Sequence, residues 1–368
     1  MIINFFSDFC FPGGIPVHQG EIAKRLSEIY HDDVRICVPW PLRYDMAEHK
    51  TLINKADKEG KLSELFDGLT YLCKIENTQQ LKHLIEEADV NHFHGSFSTN
   101  RAFLGEAIYC SADKRKNIYT FHSECANPQC LSDTNELKRR LDNINVICAV
   151  SSSVRSSVIK IIKDKKIIIT SNGALAAEGL IYTDNRPITI LFIGRLNKTK
   201  GIENVLRLAK DLKNTKIRLI VVGDAEFEPK YHFEMAALSL QENVVWINKS
   251  LSRNEILKLY TQSDIFYLPS HMEGQSIVVL DAIANGCVPV TSFVGGLNEI
   301  ISYGKNGFIF DYEDYDGQII KIKELCRNQN LLMQLKKQTK QTLLPSWEET
   351  TELLHSIYLE VANGHNSN

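Results

Sequence analysis

Short apolar runs alternate with longer segments of helical periodicity along this chain, and the alternation occurs twice. The short runs are rich in Val, Ile and Phe, which indicates strands. Strands that alternate with helices form parallel sheets with crossover helices, so the pattern predicts an α/β fold. The predicted strands cover residues 2–7, 34–39, 90–94, 117–122, 146–150 and 166–170, and then 188–194, 217–223, 243–247, 264–269, 288–292 and 307–310.

The chain is long enough for two domains, because 368 residues exceed the usual size of one hydrophobic core. We predict a first Rossmann-like domain over 1–172, a linker over 173–187 and a second Rossmann-like domain over 188–345. A closing helix over 346–368, with a frayed tail, is expected to pack back toward the first domain. Two doubly wound domains of this kind place their ligand sites at a shared central cleft.

Composition excludes several classes of function. The formal net charge is −3, with 42 Lys and Arg against 45 Asp and Glu, so we expect no nucleic-acid partner. Nine cysteines without a CxxC pair favour a reducing compartment over a disulfide framework. The apolar start lacks a basic leader and is interpreted as a strand, and no run approaches the roughly 20 apolar residues that span a bilayer. The prediction is therefore a cytoplasmic protein, with any membrane contact peripheral.

Two cations follow the first strand of the second half. Arg195 and Lys200 lie between Gly194 and the next predicted helix. A guanidinium, an ammonium and a helix N-terminus at the carboxyl end of a strand are suited to hold a phosphate. A solvated basic turn is the competing interpretation.

Two carboxylates follow the strand over 264–269. Glu273 lies in the loop, where it can accept hydrogen bonds from sugar hydroxyls, and Gly274 lets backbone N–H groups approach a ligand closely. Asp281 is eight positions further on, about 12 Å along a helix, so the two acids would contact different parts of one extended ligand. Taken singly, each acid is better explained as an ordinary residue, Glu273 as an acid at a helix N-terminus and Asp281 as a surface residue.

Together these residues resemble the retaining glycosyltransferases of family 4, which have the GT-B fold. The similarity covers nearly the whole second domain, and further matches lie in the first domain and the closing helix. The matching residues are Gly194, Arg195, Lys200, Gly201, Pro269, Ser270, Glu273, Gly274, Asp281, Gly286, Pro289, Gly295, Gly296, Glu299 and Gly307, with Gly13, Gly14, 89–95, Thr120, Phe121, His122, Asn172, Gly173, Trp347 and Tyr358 outside that domain.

The resemblance implies transfer of a sugar from a nucleotide-diphosphate donor with retention of configuration. Arg195 and Lys200 would hold the diphosphate, Glu273 would contact the donor sugar, and His122 would lie near the reacting centre. Those four form the implied catalytic set. The implied donor-binding set is Gly13, Gly14, Gly194, Arg195, Lys200, Glu273, Gly274, Gln275, Ser276 and Asp281, with Asp281 on the ribose.

The chain departs from the family pattern at two places. Asp281 stands where the family has Glu, and its side chain is one methylene shorter, which affects the predicted ribose contact. Residues 246–249 lack the Gly that commonly follows the strand beside the nucleobase, so the identity of the base is not predicted.

The histidines suggest a second, weaker interpretation. His92 and His94 are two positions apart on a predicted strand and share a face, as metal ligands often do, and His122 ends the next strand. A metallohydrolase would need more ligands on neighbouring elements, so we favour roles in lining the cleft and predict no metal ligand. His18 is a candidate for the acceptor side.

A D-x-D sequence occurs at residues 314–316, where some other glycosyltransferases hold a divalent metal. It follows the last strand within an acidic segment, and the simpler interpretation is a solvated helix N-terminus. If Arg195 and Lys200 neutralise the phosphates, neither a metal nor another cofactor is required.

A basic segment covers residues 135–166, with eight Lys or Arg against three acids. Apolar residues lie among the cations, so one interpretation is an amphipathic helix on an anionic membrane. The favoured interpretation is an ordinary helix of a Rossmann-like domain with its charges in water.

We therefore predict a glycosyltransferase that uses a nucleotide-sugar donor and a glycan or lipid-linked acceptor. The resemblance suggests bacterial surface-polysaccharide or lipopolysaccharide biosynthesis at the cytoplasmic face of the membrane. A nucleotide-sugar epimerase of the same architecture and a non-catalytic nucleotide-sugar-binding protein are the alternatives. A dehydrogenase is disfavoured, because no G-x-G-x-x-G follows a strand.

Overall fold

The chain forms two compact units in a computed structural model. The first unit comprises Met1–Gly173 and Pro345–Asn368, and the second comprises Ala174–Leu344. The residues that the structure describes are 1–8, 13–42, 47–61, 67–97, 102–124, 134–162, 165–177, 186–225, 228–249 and 251–364.

The first unit contains a parallel sheet of seven strands in the order β3-β2-β1-β4-β5-β6-β7. Its strands are β1 Ile2–Phe6, β2 Asp33–Pro39, β3 Leu72–Ile75, β4 Val90–Gly95, β5 Asn117–Phe121, β6 Val146–Ala149 and β7 Ile167–Ile169. The helices described between them are α1 Gly14–Tyr30, α2 Ala47–Lys58, α3 Thr78–Glu87, α4 Ala102–Cys110, α5 Thr134–Asp142 and α6 Ser152–Ile159, with 3₁₀ turns at Asp67–Tyr71 and Lys114–Lys116. The strand order reverses between β1 and β4, which are neighbours in the sheet.

The second unit contains a parallel sheet of six strands in the order β10-β9-β8-β11-β12-β13. Its strands are β8 Thr189–Ile193, β9 Arg218–Val222, β10 Val244–Ile247, β11 Ile265–Leu268, β12 Val288–Ser292 and β13 Phe308–Phe310. The helices are α7 Ile202–Asp211, α8 Pro229–Leu238, α9 Arg253–Thr261, α10 Ile277–Ala284, α11 Leu297–Ile300, α12 Tyr315–Arg327 and α13 Gln329–Lys340, and a 3₁₀ turn covers Lys198–Lys200. Here the order reverses between β8 and β11.

The central strands are apolar on both faces because helices cover both sides of each sheet. All five residues of β8 and all four of β11 are buried. A continuous apolar run of this kind is expected of a parallel strand within a covered sheet. The predicted α/β class with two Rossmann-like units is therefore confirmed.

One strand was missing from the sequence prediction. β3 is a four-residue edge strand, and three of its residues are only half-buried. A strand at the edge of a sheet contacts one neighbour and needs no apolar run, so its sequence does not stand out.

The closing helix α14, Trp347–Asn363, begins with a capping box in which Ser346 and Glu349 satisfy each other's backbone N–H groups. It is part of the first unit, where it packs on α1 and β4. Trp347, Leu354 and Tyr358 on its apolar face are buried, whereas Leu353 is 39% exposed.

The basic segment is not one amphipathic helix. Residues 135–166 contain nearly all of α5, strand β6 and helix α6, and two apolar residues of α6, Val154 and Val158, are buried in the core of the first unit. The interpretation as ordinary helices of a Rossmann-like unit therefore accounts for these residues. In the part of the chain that the structure describes, no helix combines the length and apolarity needed to cross a bilayer.

The predicted linker over 173–187 is partly fixed to the second unit. The Leu175 N–H donates to Asp281 Oδ1, and the Ala177 N–H donates to Asn285 Oδ1, both at 2.8 Å. Residues 178–185 lie outside the described part of the chain.

Candidate functional site

The loops after β8 and β11 meet at the point where the strand order of the second unit reverses. The His271 N–H donates to the Thr199 carbonyl oxygen at 2.8 Å, which ties the two loops together. Gly201 has φ 69°, and a Cβ atom there would lie 1.8 Å from the carbonyl oxygen of Pro269. Only glycine fits this close approach without displacing the loops. Ligands of doubly wound sheets bind at such switch points.

Lys200 and Glu273 form an ion pair across these two loops. Their side-chain atoms Nζ and Oε1 are 2.7 Å apart, and the two side chains are 22% and 7% exposed. Asn197 orients the turn, because its side-chain oxygen accepts a hydrogen bond from the Lys200 N–H. Two residues that sequence reasoning placed on different parts of the donor are therefore in direct contact. Arg195, which follows the same strand, is exposed.

A glycine loop packs against the Glu273 backbone. Gly295 has φ 58°, and a Cβ atom there would lie 2.4 Å from the Glu273 carbonyl oxygen. The Gly296 N–H donates to the Gly274 carbonyl oxygen at 2.6 Å. The glycines that follow β12 thus hold the Glu273 loop in place, while Gln275 and Ser276 in that loop are buried.

Gly194 directly follows β8 at the same edge of the sheet. Its N–H donates to the Val222 carbonyl oxygen at 3.0 Å, and a Cβ atom at Gly223 would lie 1.9 Å from the Gly194 carbonyl oxygen. The glycine at 223 therefore allows the ends of β8 and β9 to approach each other closely.

Asp281 is fully buried on α10 and is bound by a residue that sequence reasoning missed. Its Oδ2 is 2.5 Å from Nη1 of Arg253, and its Oδ1 accepts the Leu175 N–H. Both carboxylate oxygens are therefore hydrogen-bonded within the unit. The predicted ribose contact stays a prediction, and Arg253 joins the candidate site. The capping box of Ser252 and Glu255 indicates in the sequence where α9 begins. It does not indicate that the Arg253 side chain contacts Asp281.

The first unit presents glycines and histidines at its own switch point, between β1 and β4. Gly13 and Gly14 form the exposed beginning of α1, and Gly13 is the N-cap. His18 lies on α1, His94 near the end of β4, and His122 directly after β5. We call these last three residues the histidine cluster.

The histidine cluster is tightly packed. His94 Nδ1 and His122 Nε2 are 3.1 Å apart, and the rings of His18 and His122 have centroids 4.8 Å apart. His18 Nδ1 is hydrogen-bonded to Asn172 Oδ1 at 2.8 Å. Burial lowers the pKa of His18 to about 4, and it holds the pKa of both His94 and His122 well below 6.5. The imidazoles are therefore neutral at pH 7.

His92 shares a sheet face with His94 but has a different role. Its Nδ1 is bonded to the Tyr358 hydroxyl and its Nε2 to the Thr120 hydroxyl, each at 2.7 Å. Because both ring nitrogens are used inside the unit, His92 joins the closing helix to the sheet. It is not available as the metal ligand that its spacing from His94 suggested.

The D-x-D sequence lies at the beginning of α12. Asp314 is the N-cap, and its side chain accepts a hydrogen bond from the Gly317 N–H at 2.9 Å. The simpler interpretation, a helix N-terminus, is therefore confirmed for Asp314.

The chain is similar to a protein family and to several known proteins. Residues 182–342 match the family model described as glycosyl transferases group 1. An uncharacterized glycosyltransferase of Methanocaldococcus jannaschii is 24% identical over 360 residues, which cover 95% of each chain. The N-acetyl-alpha-D-glucosaminyl L-malate synthase of Bacillus anthracis is 22% identical over 350 residues, which cover 87% of this chain and 88% of that protein.

A solved structure is similar across both units. The Anabaena protein HepE in complex with UDP and glucose superposes with a TM-score of 0.72 at 15% sequence identity, covering 98% of this chain and 100% of that one. The fold is GT-B, and the protein is a glycosyltransferase.

Proposed function

We propose that this glycosyltransferase moves a sugar from a nucleotide-diphosphate sugar to a glycan or lipid-linked acceptor and retains the anomeric configuration. The observation that carries the proposal is the Lys200–Glu273 pair at the switch point of the second unit. A cation and a sugar-binding carboxylate held by two interlocked loops match a donor that joins a diphosphate to a hexose. The presence of UDP and glucose in the similar Anabaena structure supports this class of donor.

Lys200 and Arg195 stabilise the charge that develops on the departing diphosphate. Glu273 holds the Lys200 ammonium in position and accepts hydrogen bonds from hydroxyls of the donor sugar. As the bond between the anomeric carbon and the diphosphate oxygen breaks, the acceptor oxygen bonds to the same face of that carbon. The acceptor proton passes to the departing diphosphate, so the reaction needs neither a dedicated base nor a divalent metal.

The remaining site residues bind and orient the substrates. The backbone N–H groups at Gly13 and Gly14, at the N-terminus of α1, approach the diphosphate. Gly194, Gly274, Gln275 and Ser276 shape the donor site, and Asp281 contacts the ribose. His122 orients donor or acceptor through hydrogen bonds.

The setting that we propose rests on the family resemblance. It is the assembly of bacterial surface polysaccharide or lipopolysaccharide by a cytoplasmic enzyme at the inner face of the membrane. The acceptor would then be lipid-linked, and the contact of the enzyme with the membrane would be peripheral.

A donor panel followed by product analysis tests the proposal. UDP, GDP, ADP and CMP with their sugar conjugates are compared by thermal shift, since a ligand that binds only the folded state raises the melting temperature. We expect one nucleotide to stabilise the protein, and we expect NMR of the transfer product to show the donor's anomeric configuration. An inverted product would refute the retaining mechanism. A new sugar formed from the donor alone would identify an epimerase. Binding of the donor without turnover would identify a non-catalytic nucleotide-sugar-binding protein.

A further inference from the structure

We propose that the histidine cluster of the first unit binds one divalent transition-metal ion through His18, His94 and His122. The three side chains come from α1, β4 and the residue after β5, and one ligand nitrogen from each lies within 4.8 Å of the others. The 3.1 Å between His94 Nδ1 and His122 Nε2 is close to the roughly 3.3 Å between two nitrogens that share a tetrahedral zinc ion. This site goes beyond the proposed transfer reaction, which requires no metal.

The orientation of His18 supports the proposal. Its Nδ1 is bonded to the Asn172 side-chain oxygen, an acceptor, so Nδ1 carries the proton and Nε2 carries the lone pair. Metal-ligating histidines are usually fixed in this way, by a hydrogen bond from the ring nitrogen that does not bind the metal. Asn172 is 154 positions away from His18 along the chain, so no local sequence pattern indicates this hydrogen bond.

The Nε2 atom of His18 has no hydrogen-bond partner among the described residues, and the His18 side chain is completely buried. A buried polar atom without a partner is costly and calls for a bound water, ion or ligand. A metal ion would accept the lone pair of His18 and hold the other two imidazoles around it.

The donor set selects the class of metal. Three neutral imidazoles suit zinc, cobalt, nickel or copper, whereas magnesium and calcium prefer oxygen ligands. Three protein ligands leave a fourth position open to water or an anion, as in catalytic rather than structural zinc sites.

Metal content tests the proposal without reference to transfer activity. The full chain is stripped with EDTA, exposed to excess Zn²⁺, desalted and analysed for zinc. We expect about one zinc ion per chain. We also expect added Co²⁺ to give the visible absorption of a four- or five-coordinate site. His18→Gln and His94→Gln should each weaken zinc binding at least about tenfold.

The matched control is His83→Gln, which also removes one imidazole but does not change the histidine cluster. The His83 side chain is 77% exposed. This variant should bind zinc like the wild type. Circular dichroism verifies that each variant is folded. If His94→Gln does not fold, Asn172→Leu provides the second test, with affinity expected to fall roughly ten- to hundredfold. Absence of retained zinc in the wild type, or equal retention by His18→Gln, would overturn the proposal and leave the cluster as a metal-free binding surface.

Discussion

The two units share a strand arrangement but differ in what they present at its switch point. In the second unit the switch point carries the ion pair of Lys200 and Glu273, and Asp281 is paired with Arg253 on the helices behind it. In the first unit it carries three neutral histidines and the exposed glycines of α1. The same topology therefore gives each unit a switch point, and the side chains give the two switch points different chemistry, an ion pair in the second unit and imidazoles in the first.

The largest effect that would sharpen this contrast is expected for the buried pair in the second unit. Asp281→Asn removes the negative charge that pairs with the Arg253 guanidinium. The Asp281 side chain is fully buried, so water cannot replace the lost charge. We expect a loss of about 3–5 kcal/mol in the free energy of unfolding, measured by urea denaturation. The control is Glu234→Gln, which removes an exposed partner of Lys210 and should cost less than about 1 kcal/mol.

A double variant separates stability from nucleotide binding. Arg253→Met with Asp281→Leu replaces both charges with apolar groups, so we expect most of the lost stability to return. If Asp281 contacts the ribose, the nucleotide affinity of this variant stays low while its stability recovers. Recovery of both would contradict the ribose assignment.

The ion pair at the switch point should matter chiefly for catalysis. Lys200→Ala removes the charge that meets the departing diphosphate, and we expect the transfer rate to fall at least about a hundredfold. Lys198→Ala is the matched control, because Lys198 is exposed in the same 3₁₀ turn. Arg195→Ala should resemble Lys200→Ala. Wild-type turnover in Lys200→Ala would remove the main support for the catalytic assignment.

Most of the fold was predictable because buried parallel strands carry apolar residues on both faces. The residues Thr189–Ile193 of β8, for example, form a largely apolar run that predicts a buried strand. The edge strand β3 was not, since a half-buried strand leaves no continuous apolar run. The charges of the basic segment are conspicuous in the sequence, but its apolar residues belong to separate elements, and Val154 and Val158 among them pack into the core of the first unit.

The site was predictable only where the backbone determines it. Lys200 and Glu273 follow strands that become neighbours, so their proximity follows from the topology. Arg253 reaches Asp281 across 28 positions, and His18 reaches Asn172 across 154. Contacts of this kind depend on the conformations that long side chains adopt in the folded unit. Local sequence patterns carry no information about these conformations.

Two glycines test how rigidly the second unit holds its site. Gly201 and Gly304 have nearly the same backbone conformation, with φ 69° and 74°, but a Cβ atom at Gly304 would meet nothing within 4 Å. Gly304→Ala should therefore lower the free energy of unfolding by only about 1 kcal/mol, the cost of placing alanine in a left-handed backbone conformation. Gly201→Ala adds a clash with the Pro269 carbonyl, so we expect roughly 3 kcal/mol and slower transfer as Lys200 shifts. If the two variants lowered the melting temperature equally, the loops after β8 and β11 would not be in the tight contact that the structure shows.

The smallest expected effect concerns the D-x-D sequence. Asp314→Ala removes an N-cap of α12, so we expect about 1 kcal/mol less stability and an unchanged transfer rate. Asp314→Asn should retain most of the stability, because an amide oxygen also accepts the Gly317 N–H. The ratio of the transfer rates of the two variants to that of the wild type should be the same with and without EDTA, since the proposed transfer uses cations of the protein at the donor. A rate that fell with Asp314→Ala and recovered with added Mn²⁺ would instead place a metal at the donor, and the contrast between a cation-based second unit and a histidine-based first unit would no longer hold.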